Sequence, residues 1–219
     1  MLYMFILLHP HTQLSMLFED TYKTIEQSAE GLFKDRGSKF IALAYHVSTE
    51  EEARQQVAEV RKQYHDASHH CFAYRIGFDK LLYRVNDDGE PSGTAGKPIF
   101  NQLLSKDLTN VLVVVVRYFG GTLLGVPGLI NAYKSATLDA LNKAKIVTRT
   151  VNDVYEILYD YPVMNDVMKT IKDNGLEIIS TDFALKCRVV FSVRKNNLSV
   201  IYESLRKLSS LEIKYIRTK

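Results

Sequence analysis

Cysteine is scarce in this sequence. It occurs twice, at Cys71 and Cys187, too few and too far apart for a disulfide framework, so both thiols are expected to be reduced in a cytoplasmic protein. Net charge is scarce as well. The 28 Lys and Arg residues against 25 Asp and Glu leave a formal +3, so no global field draws the chain onto nucleic acid and any basic footprint has to be local. No apolar run near the start is long enough to span a bilayer. Leu2–Leu8 is far shorter than the roughly 20 residues a spanning helix needs, and it lacks the basic flank and small-residue cleavage site of a signal peptide. No membrane association is expected. Met16 and the LFEDTYKTIEQSAEG after it read as an ordinary cytosolic start. Residues 1–15 are therefore expected to be either an extension upstream of a true start at Met16 or a disordered tail.

What is present is enough apolar side chain, 46% of 219 residues, for one large or two small domains. Lys39–Val47 is strand-like. Ser48 and Thr49 ahead of Glu50, Glu51 and Glu52 form a capping-box arrangement, and Ala53, Val57, Val60 and Tyr64 make one helical stripe. Cys71–Phe78 and Leu81–Val85 read as a hairpin about Asp79–Lys80. A short helix is expected near Pro98–Leu104. Val111–Val116 is an unbroken apolar run, expected to be a strand buried on both faces. A helix over Leu129–Ala144 should open just after Pro127–Gly128. Beyond residue 148 the order strand, helix, strand, strand, helix, strand over Val154–Arg217 is ferredoxin-like βαββαβ. The whole is an α+β protein with segments 1–15, 16–147 and 148–219.

NDDGEPSGTAGKP, residues 86–98, superficially looks like a nucleotide loop. A P-loop requires glycine five residues before Gly96 and a hydroxyl after Lys97, but those positions are Pro91 and Pro98. Ser92, Gly93, Thr94, Ala95 and Gly96 could still offer consecutive N–H groups to one anion, or the loop could be a turn capped by its own Asp side chains. His69, His70 and Cys71 alternate across a strand, so too few of them converge for a metal, and no metal or other cofactor is expected. Asp87, Asp88 and Glu90 are the candidate acids or bases if the loop is catalytic.

RYFGGTLLGVPGLINAY, residues 117–133, lies in a stretch without a single acidic residue from Leu108 to Leu138. Arg117 and Lys134 could contact phosphates, and Tyr118, Phe119 and Tyr133 are either stacking platforms for bases or core. Gly120, Gly121 and Gly125 allow a ligand's backbone to come close. An Arg at the end of an all-apolar strand needs a charged partner.

GSKFIA at 37–42, HHCFAYRIG at 69–77, NDDGEPSGTAGKPI at 86–99 and VVVVRYFGG…LG at 113–125 together resemble the YigZ/IMPACT family over about residues 20–145. The resemblance implies an N-terminal α/β sandwich like ribosomal protein S5 domain 2. It also implies a C-terminal domain similar to domain V of elongation factor G and a link to translation through nucleic acid or the ribosome. Where the family usually reads GGIKLGTGGLVRAY, this chain has Leu123, Pro127 and Asn131 in place of a Lys, a Gly and an Arg. The expectation is a non-enzymatic RNA- or ribosome-binding protein that regulates translation, with Arg36, Lys39, His69, His70, Arg75, Lys97, Arg117 and Lys134 as contacts. The alternative is an enzyme holding a small phosphorylated or peptidic substrate in the 87–97 loop. A further expectation is a protein partner on the open C-terminal sheet, where Lys186, Arg188 and Val190 should face outward.

Overall fold

The structure is a computed structural model that describes residues 20–208 and 211–219; the assignments made to residues 1–15 and to a start at Met16 fall outside these. The chain forms two compact units, Tyr22–Arg149 and Thr150–Lys219, with Asp20 and Thr21 clustering with the second.

The first unit is built as β1 (Thr21–Ile25), β2 (Ala29–Asp35), β3 (Ser38–His46), α1 (Glu50–Gln63), β4 (His69–Ile76), β5 (Leu82–Asn86), α2 (Gly96–Ser105), β6 (Val111–Tyr118), α3 (Gly125–Lys143) and β7 (Ile146–Thr150). Strands β2, β3, β6, β4 and β5 lie in that order in one sheet, each antiparallel to its neighbour, and β1 pairs with β7. The sheet is buried on both sides, which is why β6 is nearly all β-branched: every residue from Val111 to Arg117 is buried. One face, carrying Ile41, Leu43, Leu112, Val114 and Val116, packs on Val57 and Val60 of α1. The other, carrying Phe40, Ala42, Cys71, Val113 and Val115, packs on Ile99 and Leu103 of α2 and on Leu129, Ala132 and Ala136 of α3. Helix α1 starts as its sequence indicates: the Glu52 amide donates to Thr49 Oγ1 at 3.1 Å, and Glu52 Oε2 accepts from the Ser48 amide at 2.7 Å.

Two boundaries differ from expectation. Helix α3 opens at Gly125 rather than after Gly128, because Pro127 sits in the first turn, where its missing N–H costs nothing. The hairpin turn is longer than Asp79–Lys80, since Ile76 pairs with Leu82 and Lys80 adopts φ +60° between them.

The second unit runs β8 (Asn152–Tyr159), α4 (Met164–Asp173), β9 (Glu177–Phe183), β10 (Cys187–Arg194), α5 (Leu198–Arg206) and β11 (Glu212–Thr218), with sheet order β11-β8-β10-β9. Its two helices close one face over Ile157, Tyr159, Cys187, Val189 and Phe191 through Val167, Ile171, Ile201 and Leu205. This is the ferredoxin-like topology. Of the outward set expected there, Lys186 is exposed and Arg188 keeps 40% side-chain exposure while pairing with Glu156 of the neighbouring strand, whereas Val190 is buried.

Candidate functional site

The acidic glycine loop holds itself. Asp87 Oδ1 accepts from the amides of Ala95 (3.0 Å) and Gly96 (2.8 Å), and Oδ2 accepts from Gly93 (2.9 Å). The Thr94 amide and hydroxyl both donate to the Pro91 carbonyl. The N–H groups of Gly93, Thr94, Ala95 and Gly96 that would greet a phosphate thus already have acceptors. The chain's own carboxylate occupies the concavity at the start of α2, and the anion-site reading of residues 92–96 loses its donors.

Asp88 does a second internal job. Its Oδ2 accepts from the His70 amide at 2.6 Å, its Oδ1 pairs with Arg61 of α1, and its carbonyl accepts from His69 Nδ1 at 2.8 Å. Burial works to raise its carboxyl, but Arg61 and the His70 amide outweigh this and hold it below the usual carboxylate range.

Glu90 points the other way, into the sheet. It is buried beside Arg117, whose Nη1 donates to Glu90 Oε1 at 2.5 Å, and the Tyr133 hydroxyl donates to the same oxygen at 2.8 Å. Here is the charged partner that an Arg closing an apolar strand requires. Register explains the rest: Phe40 of β3, Arg117 of β6 and His69 of β4 stand opposite one another in a single row across the sheet. The Arg117 guanidinium lies 5.4 Å from the Phe40 ring and 5.6 Å from the Phe119 ring. His69 Nε2 comes within 3.9 Å of Glu90 Oε1. Behind them the Cys71 sulfur lies 3.3 Å from the Tyr133 oxygen and 3.0 Å from the Asp87 carbonyl. Burial pushes both the Cys71 thiol and the Tyr133 phenol far above their ordinary values, so both stay protonated at neutral pH, and a thiol is a poor nucleophile.

Above this row opens a cleft of about 530 Å³. Its floor is His69, Glu90 and Arg117. Its rim is apolar: Phe119, Leu123 and Val126 are 49%, 82% and 51% exposed. The rim loop is seated by two glycines. A Cβ on Gly120 would stand 2.0 Å from the Gly37 carbonyl carbon and 2.2 Å from the Ser38 amide nitrogen, and the Gly120 amide donates to Ser38 Oγ at 3.1 Å.

The expected contact residues therefore divide. Arg117 is neutralised by Glu90. His70 is buried, its Nε2 2.9 Å from the Tyr64 carbonyl, and Arg75 bonds Asp107 and the Leu108 carbonyl. All three side chains are already engaged within the protein: Arg117 by buried Glu90, His70 by the Tyr64 carbonyl and Arg75 by Asp107 and the Leu108 carbonyl. Arg36, Lys39, Lys97 and Lys134 are exposed and make no ion pair among the described residues. Of the aromatics, Tyr133 is core, Tyr118 bonds Asp66 at 2.8 Å, and Phe119 borders the cleft. Sequence reasoning missed Phe40, Arg61 and Ser68 as parts of this site: strand register brings in Phe40, the contact with Asp88 brings in Arg61, and Ser68, whose amide donates to the Arg117 carbonyl at 2.8 Å, lines the cleft. Among the described residues no group of three His, Cys, Asp or Glu is placed to hold a metal ion, and no helix is long and apolar enough to cross a membrane.

Residues 36–141 match the model of the Impact N-terminal domain family. The chain is 36% identical over 154 residues to IMPACT family member YvyE of Bacillus subtilis (strain 168), covering 70% of this chain and 71% of that protein. It is 35% identical over 148 residues to IMPACT family member YigZ of Escherichia coli (strain K12), covering 67% and 72%. A crystal structure of a hypothetical protein superposes with a TM-score of 0.70 at 28% identity, over 91% of this chain and 99% of that one.

Proposed function

Because the chain belongs to the IMPACT family, we propose that it is a non-enzymatic protein that binds RNA or the ribosome and thereby regulates translation. The observation that carries this reading is how the charges are distributed around the two glycine-rich loops. Asp87 and Asp88 are engaged by the chain's own amides and by Arg61, while Arg36, Lys39, Lys97 and Lys134 stay exposed without an acidic partner. Unpaired surface cations beside an exposed aromatic are what a flexible polyanion needs: phosphate contacts for affinity and a platform for bases. Arg36, Lys39, Lys97 and Lys134 are the proposed phosphate contacts. His69 and Phe119 face the ligand, and Arg117 supports from below.

The test is binding of the chain to ribosomes and to a short structured RNA at two salt concentrations, with Lys97→Ala and Lys134→Ala alongside. Saturable binding is expected, with each variant lowering the salt slope by about one. Absence of binding at low salt refutes the proposal. Arg117→Ala is unsuited to this assay, because it strands a buried Glu90.

A second reading, an enzyme for a small phosphorylated or peptidic substrate, has one observation in its favour: Glu90, His69 and Arg117 share one concave cleft. Turnover that disappears in His69→Ala while RNA binding persists would select it.

A further inference from the structure

The rim of the cleft is more apolar than phosphate binding requires. Beside the exposed Phe119, Leu123 and Val126 stands Ile130, one helical turn past Val126 and 39% exposed. Leu123, Val126 and Ile130 follow the i, i+3, i+7 spacing of a helix surface, and Lys134 extends the row by another turn. The opposite face of α3, with Leu129, Ala132, Tyr133 and Ala136, belongs to the core. Cations bracket this outer stripe. Lys134 lies past one end. At the other, the turn that carries Arg36 and Lys39 meets the Phe119 loop: Lys39 stands opposite Tyr118 in the β3–β6 pairing, and the Gly120 amide donates to Ser38 Oγ. Asp35 is the one acid in that turn, against Lys34, Arg36 and Lys39. Of the other carboxylates that reach this region, Glu90 is engaged by Arg117 and Tyr133, and Asp66 by the Tyr118 hydroxyl.

We propose that this face docks an acidic amphipathic helix of a protein partner, with one apolar side chain seated in the cleft and carboxylates on Arg36, Lys39 and Lys134. The proposal goes beyond RNA binding, because it gives a role to three aliphatic side chains that neither contact phosphates nor stack on bases. A helix laid on a surface is read through anchors at i, i+3 or i+4, and i+7, and the stripe offers ridges of the same period. The cleft of about 530 Å³ beside it, walled by Leu123, Leu124, Val126 and Leu129, is concave and suits one large anchor side chain. Charge selects the partner. A second copy would bring Arg36, Lys39 and Lys134 against the same cations, which repel, whereas carboxylates complement them. A lipid surface would leave the concave cleft unfilled. Because the helix takes the cations proposed for phosphates, helix and RNA exclude one another, and the partner would release bound RNA.

The probe is a synthetic helix of about 18 residues, long enough to cover the stripe, with leucines on one face and glutamates on the other. Its binding is followed by fluorescence anisotropy beside a scrambled peptide of the same composition and a peptide with lysine for every glutamate. The ordered acidic helix is expected to bind about tenfold more tightly than either. Leu123→Ala combined with Ile130→Ala, at exposed positions, should weaken it about tenfold while leaving the melting temperature and RNA binding unchanged. Lys134→Ala should weaken both helix and RNA, and the helix should displace bound RNA. Equal binding of the ordered and scrambled peptides, or undiminished binding to the double variant, overturns the proposal. So does attachment to phosphatidylserine vesicles, or self-association in sedimentation, that the double variant abolishes, since the stripe then belongs to a lipid or a second copy. Helix binding without RNA binding upholds the proposal and removes the RNA role; RNA binding without helix binding does the reverse.

Discussion

Replacing Asp87 by Ala should destabilise the first unit strongly, and a small carboxylate in solution should repair it. Asp87 accepts from three backbone amides, those of Gly93, Ala95 and Gly96, at 2.8–3.0 Å. Hydrogen bonds to a charged acceptor contribute about 1.5–3 kcal/mol each, so the gross loss is about 4.5–9 kcal/mol. Gly93 is only half-buried and regains water, whereas Ala95 and Gly96 are buried at the start of α2. A net cost of about 3–5 kcal/mol follows once that rehydration is allowed. The empty concavity would then be an anion site of the kind the wild-type loop closes off. If formate binds it with a Kd of about 10 mM, then about 100 mM formate restores about 1.4 kcal/mol by mass action. Urea denaturation of both proteins in formate and in chloride of matched ionic strength measures this. The reasoning fails if Asp87→Ala costs less than about 1 kcal/mol, or if formate stabilises wild type and variant equally.

Other consequences follow from the same geometry. Gly120→Ala forces a Cβ into the Gly37–Ser38 backbone and should cost about 1–3 kcal/mol, displacing Phe119 and weakening ligand binding in the same variant; calorimetry and binding read the two effects. Leu123→Lys, at an 82% exposed position, should leave stability unchanged and steepen the salt dependence of RNA binding by about one phosphate contact. Asp107 is held below the ordinary carboxylate range first by Lys80 and then by Arg75, and Asp88 by Arg61 against its burial. Their contribution is present above the unfolded carboxylate value and is lost as pH falls through the depressed folded values. Stability measured by urea should therefore drop below about pH 4, and less so in Asp88→Asn. Arg117→Ala should cost about 3–5 kcal/mol by stranding Glu90, whereas Arg117→Met combined with Glu90→Leu should recover most of it.

The parts of the fold governed by local chemistry could be read from sequence. Thr49 with Glu52 starts α1, the valine run is the doubly buried β6, and the alternation after residue 148 yields the ferredoxin-like order. The strands Thr21–Ile25, Ala29–Asp35 and Ile146–Thr150 were not legible, because their apolar spacing is irregular and their identity comes from pairing with distant segments. The site was legible in its ingredients and not in their partners. That Arg117 needs an anion follows from its neighbours in sequence. That the anion is Glu90, and that Asp87 instead serves the loop's amides, depends on which way a three-residue separation turns each carboxylate, and positive φ at Asp88 and Gly89 decides it.

The cross-strand row Phe40–Arg117–His69 separates two kinds of mutational freedom. Its members sit at matched positions of the three central strands of the sheet, and Phe40 and Arg117 are buried there, so a change to either is felt by folding before it is felt by recognition. The rim positions Leu123 and Val126 face solvent, so they can vary at almost no folding cost. A lineage could therefore retune which ligand the cleft admits by drift along one loop, and Leu123 and Val126 would be the first residues to exchange when libraries of this protein are selected for altered binding.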